Sequence, residues 1–152
     1  MQKTLAIFAL LSLSACAAMN KGSALESRAV LERAGVADRV EAKHILLGWS
    51  WLAGGYRRMG MTLDPRAEQR NETATEQLAA DLLKKVQAGE PIEPLMAEHS
   101  EDPGSAKTGI SYAIDPASKF VEPFKQLALR LQPGEAGIVK SDFGYHVVKR
   151  VK

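Results

Sequence analysis

Residues 137–152 read GIVKSDFGYHVVKRVK, and the rest of the chain is organised around this segment. Two runs rich in β-branched residues flank the turn-like sequence Ser-Asp-Phe-Gly, and this pattern predicts a β-hairpin. The second run contains His146. Much earlier in the chain, residues 42–47 read AKHILL, which predicts another strand, and this strand contains His44. The sequence has only three histidines. Two of the three lie in predicted strands, which suggests that the fold brings these two side chains together.

The segments between these strands predict helices. Residues 73–88 carry an apolar stripe at helical spacing behind the capping-box sequence TATE, which places the N-cap at Thr73. A shorter helix is predicted after Pro91, and another has Pro123 in its first turn, where a missing N–H costs least. A further short helix is predicted within residues 23–34.

Residues 48–70 form a long connection without regular periodicity, and residues 109–114 predict a short strand. The order of elements is therefore strand, long loop, helices, strand, helix and hairpin. This order predicts an α+β domain with an antiparallel sheet of about four strands, flanked by about four helices.

The length and charge of the chain limit its function. A chain of 152 residues suits one domain. Its 20 Lys and Arg residues nearly balance its 18 Asp and Glu residues, so the charge gives no reason to expect nucleic acid as a partner. No run of the sequence reaches the roughly 18 to 20 apolar residues that span a bilayer.

Residues 1–15 have the pattern of a secretory signal peptide, with a positive start and an apolar middle. The sequence LSAC, which ends at Cys16, resembles a bacterial lipobox, in which the cysteine is lipidated and becomes the first mature residue. We therefore expect residues 1–15 to be a lipoprotein signal peptide and residues 16–39 to be a lipid tether with a short helix. The folded domain is then residues 40–152.

The single cysteine favours lipidation, since an exported protein rarely keeps one thiol without a use. The residue after Cys16 is Ala17. An aspartate at this position would resemble an inner-membrane retention signal. We therefore expect an anchor at Cys16 in the outer membrane, facing the periplasm. Ordinary signal cleavage after Ala15 or Ala17 is the alternative interpretation.

Six segments of the chain, in this order, resemble the parvulin family of peptidyl-prolyl cis-trans isomerases. They are AKHILL at residues 42–47, AGE at 88–90, HSEDPGSA at 99–106, FVEPF at 120–124, LQPGE at 131–135 and FGYHVV at 143–148. Their order and spacing cover roughly residues 40–152. The resemblance implies a parvulin-like fold and an enzyme that rotates Xaa–Pro peptide bonds without a metal, a cofactor or a covalent intermediate.

The resemblance also implies a set of site residues. The polar positions of the family's active site are matched by His44, Asp102, Ser141 and His146. The apolar pocket that grips the proline ring is matched by Phe120 and Phe124. Asp102 would act electrostatically near the carbonyl group, and the two histidines and Ser141 would support the site without transferring a proton during turnover.

One segment departs from the family. TGISY at residues 108–112 stands where the family usually has Gly-Gly-Asp-Leu-Gly. Ser111 then falls where a leucine of the substrate-binding pocket is expected, which predicts a more polar pocket. Tyr112 replaces a glycine, and we expect it to crowd the groove.

The residues alone also allow plainer interpretations. His44 and His146 would be separate core histidines, Asp102 would be a turn residue, and Ser141 would cap the hairpin. The third histidine, His99, lies on a predicted helix and is interpreted as a packing residue.

Two features of the long connection remain open at this point. Arg57 and Arg58 either select an acidic group before the proline or are simply solvated. Trp49, Trp51 and Tyr56 either offer an apolar surface to unfolded chains or pin the loop to the domain.

The sequence therefore predicts a prolyl isomerase that binds Xaa–Pro segments and assists the folding of exported or outer-membrane proteins. The alternative is a periplasmic chaperone that binds extended chains in the same groove with little or no isomerase activity. A purely structural envelope lipoprotein is the third possibility. We expect the membrane to be contacted through the lipid at Cys16, and we expect no nucleic acid partner.

Overall fold

The computed structural model describes residues 25–152, so the predicted signal peptide and the lipidation site at Cys16 lie outside the described residues. Six α-helices and four strands form within residues 25–152. In chain order they are α1 (Arg28–Leu31), β1 (Val40–Leu47), α2 (Ala53–Arg58), α3 (Pro65–Glu68), α4 (Glu72–Gln87), α5 (Ile92–His99), β2 (Tyr112–Ile114), α6 (Glu122–Arg130), β3 (Ala136–Ser141) and β4 (Gly144–Arg150). One turn of 3-10 helix, Ser50–Leu52, precedes α2.

The predicted α+β architecture is confirmed. All four strands join one antiparallel sheet in the order β2-β1-β4-β3. The helices exceed the predicted number because the long connection contains the short helices α2 and α3. The sequence of α2, AGGYRR, has two glycines and therefore little intrinsic helix preference. Contacts with the rest of the domain hold this helix instead.

The closing hairpin forms as predicted from β3 and β4, with Ser141 opposite Gly144. Gly144 has a φ of 135°, in a region that residues with a side chain rarely adopt. A Cβ atom at this position would collide with the carbonyl oxygen of Leu47. Glycine is therefore required where β4 passes the end of β1.

The two faces of the sheet are covered by different helices. Ile45 and Leu47 of β1 join a buried cluster that includes Leu82 of α4 and Met96 of α5. Ala42 of β1 belongs to a second cluster, on the opposite face, that is built around α6. Because side chains alternate along a strand, His44 and Leu46 share the α6 face with Ala42. The candidate site therefore lies on the α6 side of the sheet.

Helix α4 begins at a different cap from the one predicted. Asn71 is the N-cap, and its side-chain oxygen accepts a hydrogen bond from Ala74 N–H at 2.8 Å, so the prediction of Thr73 was wrong. Asparagine caps helices at least as well as threonine does. Thr75 is buried, and its hydroxyl lies 3.0 Å from the carbonyl oxygen of Gly48, where it ties the first turn of α4 to the end of β1.

Residues 25–39 pack directly on the domain. Ser27 bonds with the edge strand β3 twice, through Ser27 N–H to Ile138 O and through Ile138 N–H to Ser27 Oγ, both at 2.9 Å. Val30 is buried against α6 residues, and Arg33 pairs with Glu135 at 2.6 Å. This segment therefore covers the edge of the sheet that β3 would otherwise expose. None of the helices within residues 25–152 has the length and apolar character needed to traverse a bilayer.

We predict that Gly144→Ala destabilises the fold more than Gly134→Ala, a matched control with a positive φ of 81° but no atom within 4 Å of an added Cβ. Gly134→Ala should cost only the backbone term of about 1–2 kcal/mol. Gly144→Ala adds a collision with Leu47, and we expect a loss of about 3 kcal/mol or more in the free energy of unfolding. Urea unfolding of both variants measures the difference, and equal losses would contradict the proposed collision.

Candidate active site

A cavity of about 600 Å³ opens on the α6 face of the sheet. Its floor contains His44 and Leu46 of β1 and His146 of β4. The strand register places Leu46 directly opposite His146, so the two histidines occupy diagonal positions on neighbouring strands. Both imidazoles are buried, which means that their nitrogens need partners within the protein.

The two histidines contact each other, as the sequence predicted. Their Nδ1 atoms lie 3.3 Å apart, and their rings are nearly parallel at 11°. His146 Nε2 lies 2.7 Å from Ser141 Oγ, which also accepts a hydrogen bond from Phe143 N–H. His44 Nε2 faces Asp102 Oδ2 at 3.4 Å without a well-aligned hydrogen bond. Asp102, His44, His146 and Ser141 therefore form one continuous polar row.

One arrangement of protons satisfies this row with both imidazoles uncharged. A carboxylate only accepts hydrogen bonds, so the nitrogen of His44 that faces Asp102 carries a proton. His44 Nδ1 is then free to accept from His146 Nδ1–H, and His146 Nε2 accepts from the Ser141 hydroxyl. With both imidazoles uncharged, each histidine then has a single tautomer that its neighbours set.

Asp102 is held by several donors. Ser105 donates to Asp102 Oδ2 from its backbone N–H at 2.8 Å and from its hydroxyl at 2.6 Å, and the Tyr112 hydroxyl donates to the same oxygen at 2.8 Å. Burial alone would raise the pKa of Asp102, but these donors and the neighbouring His44 hold that pKa well below its usual range. Burial and the nearby His44 lower the pKa of His146 to about 3. At neutral pH the row therefore joins an ionised carboxylate to an uncharged His146.

The turn that carries Asp102 is fastened to β1. Ser100 Oγ accepts from Leu46 N–H at 3.1 Å, and Glu101 N–H donates to Leu46 O at 2.9 Å. The Glu101 carboxylate accepts from Gly48 N–H at 2.6 Å and pairs with Arg70. No local pattern predicts this anchor, because Glu101 and Arg70 lie far apart in the chain.

Aromatic side chains form a pocket beside the polar row. Phe124 is buried on α6, and its ring centre lies 4.9 Å from that of His44. Phe120 lies 5.4 Å from Phe124, and Tyr112 lies 5.4 Å from Phe120 and 5.7 Å from His44, all measured between ring centres. These rings bound a concave apolar space of the kind that can bury a proline ring.

The structure does not bring Ser111 into this pocket, contrary to the sequence prediction. Its hydroxyl donates to the Glu41 carboxylate at 3.1 Å, outside the cavity. The reason lies in the register, because β2 pairs Tyr112 with Ala42, which faces α6. Residues directly opposite in an antiparallel pair point to the same face, so Tyr112 enters the cavity and Ser111 does not.

Gly104 makes room for this tyrosine. A Cβ atom at Gly104 would collide with the Tyr112 hydroxyl oxygen. The missing side chain therefore lets the phenol reach Asp102. Tyr112 both walls the pocket and binds the carboxylate, a double role that the sequence pattern did not indicate.

The long connection is pinned to the domain by two of its three aromatics. Trp49 and Tyr56 are buried, and the Tyr56 hydroxyl donates to Phe143 O at 2.9 Å. Trp51 is 89% exposed. Arg57 and Arg58 are exposed on α2 and do not line the cavity, which favours the interpretation that they are solvated.

The third histidine, His99, lies at the end of α5 and is only partly buried. Its Nε2 atom is 3.5 Å from the Glu98 carboxylate, and it does not line the cavity. This position fits a role outside the site.

Known proteins resemble this chain in both sequence and fold. The family model described as PPIC-type PPIASE domain matches residues 27–152. The foldase protein PrsA of Geobacillus kaustophilus is 37% identical over 75 residues, which are 49% of this chain and 27% of that protein. The chaperone SurA of Pseudomonas aeruginosa is 34% identical over 116 residues, which are 75% of this chain and 24% of that protein.

A solved structure supports the same relationship. The solution structure of NmPin, the parvulin of Nitrosopumilus maritimus, superposes with a TM-score of 0.51 at 27% identity. The match covers 78% of this chain and 100% of NmPin. The chain thus corresponds to the whole of this small protein, but it spans only about a quarter of the length of PrsA and SurA.

We predict that Tyr112→Phe raises the pKa of Asp102, because the substitution removes one of the hydrogen bonds that stabilise its ionised form. A hydrogen bond to a charged group contributes roughly 1.5–3 kcal/mol, so the rise should be about 1–2 pH units. Carbon NMR titration of the Asp102 carboxyl measures it. The control is Tyr56→Phe, which removes a hydroxyl bonded to Phe143 O instead. An unchanged Asp102 titration in Tyr112→Phe, or an equal shift in the control, would contradict the assignment.

Proposed function

The chain belongs to the PPIC-type peptidyl-prolyl isomerases, or parvulins, and from this premise we propose that it catalyses cis–trans rotation about Xaa–Pro bonds in client polypeptides. The main support for the proposal is the cavity. Its lining combines an aromatic pocket with a buried row of polar side chains. The pocket matches the apolar ring of proline. In the proposed complex the preceding amide rests beside the polar row.

The reaction needs a site that prefers a twisted amide. Resonance gives the peptide bond a rotation barrier of about 18–20 kcal/mol, and uncatalysed Xaa–Pro bonds take tens to hundreds of seconds to isomerise. Catalysis requires tighter binding of the twisted amide than of either planar form. Each tenfold gain in rate requires about 1.4 kcal/mol of this preference.

Phe120, Phe124 and Tyr112 would hold the proline ring while the preceding carbonyl group turns. Burial of the amide removes the water that stabilises its polar, conjugated form. The conjugated amide carries partial negative charge on its oxygen, and this charge falls when the bond twists. The ionised Asp102 would disfavour the planar form if that oxygen lies beside it, so the carboxylate lowers the barrier electrostatically.

The remaining polar residues would position Asp102 without joining the reaction. Rotation breaks no covalent bond, so no proton has to move. His146, with a pKa of about 3, stays uncharged near neutral pH and acts as a fixed link between Ser141 and His44. We assign His44, His146 and Ser141 to this supporting role.

We also propose that the clients are exported polypeptides. The names foldase and chaperone, given to PrsA and SurA, support a role in protein folding. The signal-peptide pattern of residues 1–15 and the lipobox-like sequence at Cys16 support a lipid-anchored protein of the cell envelope, in the outer membrane facing the periplasm.

We predict that the protein accelerates cis–trans exchange in Xaa–Pro peptides well beyond the uncatalysed rate, and that Phe120→Ala lowers this acceleration at least tenfold. The half-buried Phe120 walls the proline pocket, so its loss removes contacts made with the ring. Two-dimensional NMR exchange spectroscopy measures the rate. Ile110→Ala is the control, because Ile110 is 50% exposed and does not line the cavity.

Absence of acceleration for every peptide would refute the isomerase. Chemical-shift changes that still map to the cavity would then identify a module that binds extended chains without turning the bond.

A further inference from the structure

A hydroxyl group lies at the border between the proline pocket and the polar row. The ring of Tyr112 is part of the pocket, with its centre 5.4 Å from that of Phe120, and its hydroxyl donates to Asp102 Oδ2 at 2.8 Å. Burial and this hydrogen bond raise the pKa of Tyr112, so the hydroxyl keeps its proton at neutral pH. Tyr112 is therefore a neutral donor at the point where the pocket meets the carboxylate.

The other hydroxyl groups of the cavity lining are placed differently. Within residues 25–152, three hydroxyl-bearing side chains line the cavity, and the two besides Tyr112 are Tyr56 and Thr62. The Tyr56 hydroxyl already donates to Phe143 O. Thr62 is exposed and belongs to the long connection. Among these three, Tyr112 is thus the one whose hydroxyl borders the proline pocket.

Asp102 does not depend on the tyrosine alone. Ser105 gives the same carboxylate oxygen two hydrogen bonds, from its backbone N–H at 2.8 Å and from its hydroxyl at 2.6 Å. His44 Nε2 lies 3.4 Å from that oxygen as well. The Tyr112 hydroxyl can therefore turn from Asp102 to a substrate atom while the carboxylate keeps its other partners.

Rotation about the Xaa–Pro bond creates a new hydrogen-bond acceptor. In a planar amide the nitrogen lone pair is shared with the carbonyl group, so the nitrogen is a poor acceptor. Twisting ends this sharing and leaves the lone pair on the nitrogen. A donor at the nitrogen thus stabilises the twisted amide more than either planar form, which is the preference that catalysis requires. The same donor at the oxygen would stabilise the planar form and slow the rotation.

The pose described for the substrate brings this nitrogen to Tyr112. The nitrogen is a member of the proline ring, and the ring lies against Tyr112 and Phe120. The amide oxygen is bonded to the same carbon as the nitrogen, and it lies beside Asp102. A hydroxyl 2.8 Å from that carboxylate therefore has the nitrogen within reach.

We propose that the Tyr112 hydroxyl is a further catalytic group, which shifts its hydrogen bond from Asp102 to the prolyl nitrogen as the amide twists. This role rests on the proposed function and adds a donor to it. No covalent bond breaks, and the proton stays on the phenol oxygen throughout.

The first test is Tyr112→Phe, which keeps the ring in the pocket and removes the donor. NMR exchange at saturating peptide gives kcat, and titration of chemical shifts gives Kd. We expect kcat to fall about tenfold or more while Kd changes less than about twofold, because the hydrogen bond to nitrogen forms only in the transition state. The rise expected in the pKa of Asp102 leaves this carboxylate ionised at pH 7, so a lost charge does not explain the fall.

Ser105→Ala is the matched control. The Ser105 hydroxyl donates to the same oxygen of Asp102, but Ser105 does not line the cavity and cannot reach the substrate. If Tyr112 acted only by holding Asp102, the two variants would lose turnover alike. We expect the loss in Tyr112→Phe to exceed that in Ser105→Ala by about fivefold or more, and equal losses would overturn the catalytic role.

Gly104→Ala displaces the hydroxyl instead of removing it, because an added Cβ atom would collide with the Tyr112 hydroxyl oxygen. This variant should also lower kcat. The double variant Gly104→Ala with Tyr112→Phe should lower it no further than Tyr112→Phe alone, because both changes remove the same interaction. Additive losses would show that the two positions act separately and would contradict the proposal.

A change in the substrate tests the contact with the nitrogen itself. In a peptide with 4,4-difluoroproline, the fluorines withdraw electron density from the nitrogen and make it a poorer acceptor. With the unaltered protein, we expect the rate enhancement over the uncatalysed reaction to fall about threefold or more for this peptide. With Tyr112→Phe, the enhancement should be alike for the two peptides.

The outcomes separate the role of Tyr112 from the proposed function. An equal fall for the fluorinated peptide in both proteins, or an unchanged kcat in Tyr112→Phe, would overturn the role of the hydroxyl while leaving the isomerase intact. Absence of turnover by the unaltered protein with every peptide would overturn the isomerase, and the catalytic role of Tyr112 with it.

Discussion

The contact between His44 and His146 is the constraint on which the rest of the site depends. Two buried imidazoles that share an Nδ1···Nδ1 contact of 3.3 Å need a partner for each remaining nitrogen, because unpaired buried polar groups cost roughly 1–3 kcal/mol each. The partners come from distant parts of the chain. Ser141 belongs to the closing hairpin, and Asp102 belongs to a turn fastened to β1. The row is therefore complete only when the whole sheet has formed.

The same constraint explains how a polar row is accommodated in a largely apolar cavity. The row lies between the aromatic pocket and the apolar cluster of Tyr56, Leu63 and Phe143. A buried carboxylate in such a place is costly unless it is well bonded. Asp102 is tolerated because Ser105 and Tyr112 donate three hydrogen bonds to one of its oxygens. The hydrogen bonds from Ser105 and Tyr112 thus both hold Asp102 in place and keep its carboxylate ionised.

Local patterns in the sequence were sufficient for the sheet and for most of the polar row. The hairpin of residues 137–152 and the strand at residues 42–47 are apolar runs rich in residues that favour strands, and strand register then brings His44 and His146 together. Ser111 was misplaced because β2 has only three residues, and its facing is decided by pairing with β1. A run this short carries no alternation signal of its own.

The remaining features depend on partners that are remote in sequence. Helix α2 is stabilised by the contact of Tyr56 with Phe143. Helix propensity depends on the local sequence alone and does not include such a tertiary contact. The ion pair of Glu101 and Arg70 crosses between two loops. The cap of α4 was missed for a different reason, since Asn71 and Thr73 are both good capping residues and packing decides between them.

The protonation of the two imidazoles at neutral pH, measured by nitrogen NMR of the labelled histidine rings, tests the polar row most directly. We expect a neutral His146 with its proton on Nδ1 and an acceptor Nε2 bonded to Ser141, beside a His44 with a proton on Nε2. A His146 protonated on Nε2 alone, or a His44 without a proton on Nε2, would contradict the row from Asp102 to Ser141.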